Sequence, residues 1–130
     1  MDNKPILIVE DDLGISESLQ EYFESKGYPV FLAKHGQAAL DLLEMSSTPK
    51  LGLIFLDLMM PVMDGFTFLS ELLGKHPIIF AHTPIFIMSA RADTQKLQIK
   101  TTGLVKKPFE LEELAKIAAR YCGTSARPVN

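Results

Sequence analysis

The chain has 130 residues, 47% hydrophobic and 22% charged, with a net charge of -3 at neutral pH. That length predicts one domain whose core needs no covalent staples. The mild negative charge argues against a nucleic-acid or anionic-membrane surface. The single cysteine, Cys122, excludes an internal disulfide, and no Cys/His cluster has zinc spacing. Met1 to Pro5 has no charged-then-apolar signal layout. No apolar run approaches the roughly 20 residues that span a membrane. A reducing cytoplasm is the default expectation.

Short apolar runs alternate with amphipathic stretches. Ile6 to Val9 is continuously apolar, as a strand buried on both faces would be. Ile15, Leu19, Tyr22 and Phe23 then share one helical face, with Asp12 as its cap and Gly27 as its stop. Val30 to Ala33 reads as a second strand. Ala38 to Met45 reads as a second helix, which Pro49 must follow. Leu51 to Leu56 is a third apolar run, ending on Asp57. Asp64-Gly65 opens a third helix that closes at Gly74, and a loop covers Lys75 to Thr83. Pro84 to Met88 reads as a fourth strand, with proline tolerated at its start. A short helix is expected over Asp93 to Lys100 and a short strand over Gly103 to Lys106. Leu111 to Tyr121 is a final helix, and Gly123 to Asn130 forms a flexible tail. The expected domain is therefore residues 1–122, with 123–130 as the tail.

Strand and helix alternate five times in this reading, which predicts a parallel sheet covered on both faces. Ligands of such sheets bind beyond the carboxyl ends of the strands. Those ends hold Glu10-Asp11-Asp12, Asp57, Ser89 and Lys107. Converging carboxylates need a cation, and oxygen-only ligation suits Mg²⁺. An aspartate at the end of an apolar strand can attack phosphorus, with a cation and a lysine neutralising the transferring group. Lys107 fits that lysine, and the Ser89 hydroxyl fits a hydrogen bond to a phosphoryl oxygen.

Each residue also has a plainer account. Glu10-Asp11-Asp12 fits an acidic helix start equally well. Asp64 fits a cap better than a ligand. Lys106 and Lys107 fit a solvated pair, Met59, Met60 and Met63 fit adaptable packing, and His82 fits a loop histidine. Only the joint placement at four strand ends favours phosphoryl chemistry.

At Ile6-Leu7-Ile8-Val9-Glu10-Asp11-Asp12, Leu56-Asp57-Leu58-Met59-Met60-Pro61-Val62-Met63-Asp64-Gly65, Met88-Ser89-Ala90 and Lys107-Pro108-Phe109, the sequence resembles the receiver domain of bacterial response regulators. The match runs from about Lys4 to about Tyr121. The resemblance implies a flavodoxin-like (βα)5 fold with a five-stranded parallel sheet in order 2-1-3-4-5. It implies that Asp57 takes a phosphoryl group from a phosphohistidine on a sensor histidine kinase or histidine phosphotransfer protein. Mg²⁺ or Mn²⁺ would sit on Asp11, Asp57 and the backbone carbonyl of Met59, with Glu10 acting mainly through water. Lys107 would contact the phosphoryl group, its bond to Pro108 being often cis in the family. Ser89 would move toward the phosphoryl group, while Met59 and Arg91 would tune its lifetime. A downstream effector or output domain would read the change, and a homodimer through the fourth-helix to fifth-helix face is a further implication. Such a domain is a signalling switch, not an enzyme beyond its own phosphorylation and dephosphorylation.

Two features depart from the family. Leu104 stands where an aromatic residue is usual, and the stretch from Ser89 to Lys107 is about one helical turn short. The first removes the aromatic switch, and the second alone leaves open a phosphorylation-independent interaction module on the same fold. A haloacid-type phosphatase is disfavoured, because Met59 stands where a second aspartate is required and the chain has no room for a cap domain.

Overall fold

A computed structural model describes residues 3–123, with residues 91–93 described in their backbone only. The sheet has five parallel strands in the order β2-β1-β3-β4-β5, as the flavodoxin-like pattern requires. They are β1 (Ile6–Val9), β2 (Val30–Ala33), β3 (Leu53–Asp57), β4 (Ile85–Ser89) and β5 (Gly103–Lys106). The helices are α1 (Leu13–Ser25), α2 (Gly36–Glu44), α3 (Gly65–Lys75), α4 (Pro77–His82) and α5 (Leu111–Cys122). A 3₁₀ helix, Arg91–Lys96, lies between β4 and β5.

The three central strands explain the apolar runs. Every residue of β1 and β3 is buried, because side chains of alternating direction enter two cores. Leu7, Val9, Ile54, Leu56, Ile85 and Ile87 meet α2 and α3 on one face. Ile6, Ile8, Leu53, Phe55, Met88 and Val105 meet α1 and α5 on the other. There the Phe23 and Phe55 rings stack with centroids 5.8 Å apart, a geometry that adds to the burial of the rings. Asp12 caps α1 by accepting from the Ile15 N–H, and the chain leaves that helix through Gly27 at φ 94°.

The structure corrects four local expectations. Residues 77–82 form α4 rather than a loop. Pro77 sits at the first helical position, where a missing N–H costs nothing, while Ile79 and Phe80 pack on the α2/α3 core. His82 thus ends a helix, with Nδ1 2.9 Å from the Ile78 carbonyl. Two helices consequently separate β3 from β4, so strict alternation fails. Of the helix expected over 93–100, only residues 93–96 are helical, within the 3₁₀ turn, while Leu97 and Ile99 beyond it pack on the core at strand-like spacing. Finally, α2 begins at Gly36, capped by His35, whose Nδ1 accepts from the Ala38 N–H.

The two described ends meet at the amino end of the sheet. The Lys4 N–H donates to the Cys122 carbonyl at 2.8 Å, and the Tyr28 hydroxyl donates to the Gly123 carbonyl at 2.6 Å. Cys122 is buried there, which pushes its thiol up to about 12. No helix among the described residues is long and apolar enough to cross a membrane. Residues 124–130 of the expected tail lie outside the described residues.

Candidate functional site

The parallel topology carries the ends of β1, β3, β4 and β5 to one edge. The ligand oxygens of Glu10, Asp11 and Asp57 lie within 4.8 Å of one another there. Glu10 and Asp57 are buried, and Asp11 is exposed. β3 delivers Asp57 as its last residue, paired in register with Met88 of β4. The Met59 N–H approaches Asp57 Oδ1 at 3.4 Å, and the Asp12 N–H donates to Glu10 Oε2 at 3.2 Å.

Lys107 bridges the buried acids. Its Nζ is 3.2 Å from Glu10 Oε1 and 3.6 Å from Asp57 Oδ1. Its backbone N–H donates to the Ser89 carbonyl at 2.9 Å, and its bond to Pro108 is cis. Burial and the charge of Asp57 push the Glu10 carboxyl up to about 7. Burial disfavours the Lys107 ammonium, but the carboxylates of Asp57 and Glu10 outweigh it and raise its pKa. Two buried carboxylates share one lysine, and the exposed Asp11 beside them adds to the excess of negative charge. Hard oxygen donors at this spacing fit a small divalent cation, which would balance that excess.

Ser89 is buried beside the acids in the β4 strand end, and its hydroxyl donates to the Ala90 carbonyl at 3.0 Å. Met59 is exposed at the rim. The Arg91 side chain lies outside the described residues. Asp64 is a cap, as expected, accepting from the Thr67 N–H at 2.8 Å. Lys107 is not a solvated loop residue, whereas Lys106 is exposed. Leu104 is half exposed on β5, opposite Ile87.

Sequence reasoning missed the supporting role of Gly65. A Cβ there would lie 2.7 Å from the Asp57 carbonyl and 2.8 Å from Leu58 Cα. Only glycine lets α3 start this close to the acid-bearing strand end. The Asp64-Gly65 pair carried that signal but reads first as a helix start.

Fold and cleft together define a parallel α/β domain that gathers acids and a lysine around one strand-end aspartate. The chain belongs to the response regulator receiver domain family, whose model matches residues 6–119. Such domains are signalling modules of two-component systems rather than enzymes in the ordinary sense. Sporulation initiation phosphotransferase F of Bacillus subtilis (strain 168) is 33% identical over 125 residues, covering 93% of this chain and 95% of that protein. The chemotaxis response regulator CheY4 of Vibrio cholerae superposes with a TM-score of 0.77 at 28% identity, over 92% of this chain and 98% of that one. The receiver domain of sensor histidine kinase PA1611 from Pseudomonas aeruginosa PAO1, solved with magnesium in its active-site cleft, gives 0.76 at 27% identity, over 94% and 99%. Two further curated relatives are longer, and the chain spans 54% and 49% of their lengths.

Proposed function

We propose that Asp57 accepts a phosphoryl group from the phosphohistidine of a sensor histidine kinase or histidine phosphotransfer protein, and that the change alters partner binding. The observation that carries this reading is the convergence of Glu10, Asp11 and Asp57 with Lys107 at one sheet edge. An Asp57 carboxylate oxygen forms the new bond to phosphorus as the phosphorus–nitrogen bond breaks. The imidazole nitrogen departs with the bonding pair. Lys107 stays beside the Asp57 oxygen and balances the charge brought by the phosphoryl group.

Glu10, Asp11, Asp57 and the backbone carbonyl of Met59 would hold Mg²⁺ or Mn²⁺. A bound ion supplies charge neutralisation on the phosphoryl oxygens. The magnesium described in the PA1611 receiver supports this reading. The Ser89 hydroxyl would leave the Ala90 carbonyl and donate to a phosphoryl oxygen. Met59 and Arg91 would tune how long the phosphoryl group survives. Phosphorylation then stabilises an alternative state of the 89–107 segment. A downstream effector, an output domain or a second copy of the chain reads that segment together with α5. Residues 1–122 form the receiver domain in this reading. It acts in the cytoplasm, with no nucleic acid or membrane contact of its own.

A second reading keeps the fold as a phosphorylation-independent interaction module. The 3₁₀ turn standing where a longer crossover helix is expected favours it. Acetyl phosphate separates the two. The parent should gain one phosphoryl group by mass only with Mg²⁺, and Asp57→Asn should gain none. Labelling that persists in Asp57→Asn or ignores Mg²⁺ would sink the first reading. A partner that binds parent, phosphorylated parent and Asp57→Asn alike decides for the second.

A further inference from the structure

The acids and bases are not evenly spread. Glu10, Asp11, Asp12, Asp57 and Asp64 crowd the carboxyl end of the sheet. The opposite end presents two adjoining hollows that share His82 and Thr83. The larger, about 530 Å³, is walled by Leu43, Leu51, Ile78 and Ile79 and edged by Lys50. The smaller, about 370 Å³, lies against Phe80 and Ile85 and is edged by Lys100. No carboxylate lines either hollow among the described residues, although the whole chain has 16 acidic and 13 basic residues.

Three features make this more than a chance depression. Ile78 is 73% exposed, a large apolar side chain held in water beside the larger hollow, and exposed apolar surface rimmed by polar groups marks interaction sites. Helix α4, which builds one wall, is a local addition between β3 and β4 rather than one of the crossovers that the sheet requires. Lys50 and Lys100 are exposed and form no ion pair among the described residues. Basic residues at helix carboxyl ends answer the helix dipole. That account serves Lys75 and His82 but not Lys50 or Lys100, which lie in the loops leading into β3 and β5.

We infer that this amino-end groove is a second docking surface, which takes an acidic peptide segment of a partner protein by one bulky apolar side chain. The apolar anchor enters between Leu43, Leu51, Ile78 and Ile79, and flanking carboxylates face Lys50 and Lys100. An anchor in a pocket with charged neighbours at the rim is a common division of labour in recognition. The surface lies at the opposite pole from Asp57, so docking there leaves the phosphoacceptor edge open and does not depend on phosphorylation.

The probe is the peptide acetyl-Glu-Glu-Leu-Phe-Glu-Glu-Leu-amide, titrated into the ¹⁵N-labelled full chain without phosphodonor. Amide shifts should concentrate in residues 43–51, 78–85 and 100–102. The affinity should fall about tenfold in the double variant Lys50→Glu/Lys100→Glu, from reversal of two rim charges. It should persist in Lys50→Arg/Lys100→Arg and weaken with salt. Because both lysines are exposed, the rest of the spectrum should not change, which excludes misfolding. A peptide with lysine for each glutamate should not bind, and one with serine for the leucines and phenylalanine should bind much more weakly. The inference is overturned if no shifts appear, if they centre on Glu10 and Asp57, if the serine peptide binds equally well, or if a short RNA oligonucleotide competes as well as the peptide.

Discussion

Asp57→Asn should make the protein more stable when no divalent cation is present. Glu10 and Asp11 each hold an oxygen within 4.8 Å of Asp57. At that distance and an effective dielectric of about 20, one pair of like charges costs about 3.5 kcal/mol. The exposed Asp11 is screened toward about 1 kcal/mol, so the two acids together cost about 4.5–7 kcal/mol. Lys107 at 3.6 Å from Asp57 returns about 4.6 kcal/mol on the same scale. The balance is near zero to about 2.5 kcal/mol unfavourable, to which the burial of a charged carboxylate adds further cost. Asparagine keeps the size and one acceptor for the Met59 N–H but removes the charge. The expected gain is about 1–3 kcal/mol at pH 8 in EDTA, measured by urea unfolding at unchanged slope. Mg²⁺ at ten times its dissociation constant should stabilise the parent by about 1.4 kcal/mol, and the variant by much less. At pH 5.5 Glu10 is mostly protonated, its carboxyl being pushed up to about 7, and the difference between the two proteins should narrow. A variant less stable than the parent at pH 8 in EDTA, or equally responsive to Mg²⁺, refutes the electrostatic account of the cleft.

Other perturbations test neighbouring parts of the same cleft. The Glu10 carboxyl is raised from 4.5 to about 7 by burial and then by Asp57, so the folded state holds that proton more tightly than the unfolded chain. Its contribution to stability is therefore complete below pH 4.5 and lost as pH rises through about 7, on the order of 3 kcal/mol in EDTA. Glu10→Gln should flatten that part of the stability–pH curve, and an unchanged slope counts against the assignment. Gly65→Ala places a Cβ 2.7 Å from the Asp57 carbonyl. It should cost about 1–3 kcal/mol and slow acetyl phosphate labelling, whereas a fully stable and fully reactive variant contradicts the close-approach argument. Asp64→Ala removes the α3 cap and should cost about 1 kcal/mol while Mg²⁺-dependent labelling survives. Loss of labelling at full stability would mean that Asp64 serves the cation rather than the helix.

The sheet was legible because β1 and β3 are buried on both faces and therefore read as unbroken apolar runs. The acids were legible because strand ends are where open parallel sheets place ligands. The parts that escaped have identifiable causes. Residues 77–82 begin at Pro77 and are too short for a helical periodicity to show, so tertiary packing of Ile79 and Phe80 decides them. The 3₁₀ turn ends at Lys96, just before Leu97 and Ile99, whose two-residue spacing on the core does not fit a helix. His35 caps α2 through Nδ1, a role that its residue type does not advertise. That Lys107 reaches both Glu10 and Asp57 is a matter of distances between segments about fifty and a hundred residues apart.

The bond from Lys4 to the Cys122 carbonyl has a consequence for how the fold can be joined to other chains. Residues 3 and 123 are neighbours at the pole opposite Asp57, with Gly123 approaching the Asn3 side chain. Segments that continue before residue 3 or after residue 123 leave from that pole, so the length of a linker, rather than any rearrangement of the fold, decides whether an attached domain can swing around to the acidic edge. The same adjacency means that a short loop joining residues 3 and 123 would close the fold into a ring, with new ends opened at the exposed turn residues 46–47, while all five strands keep their neighbours.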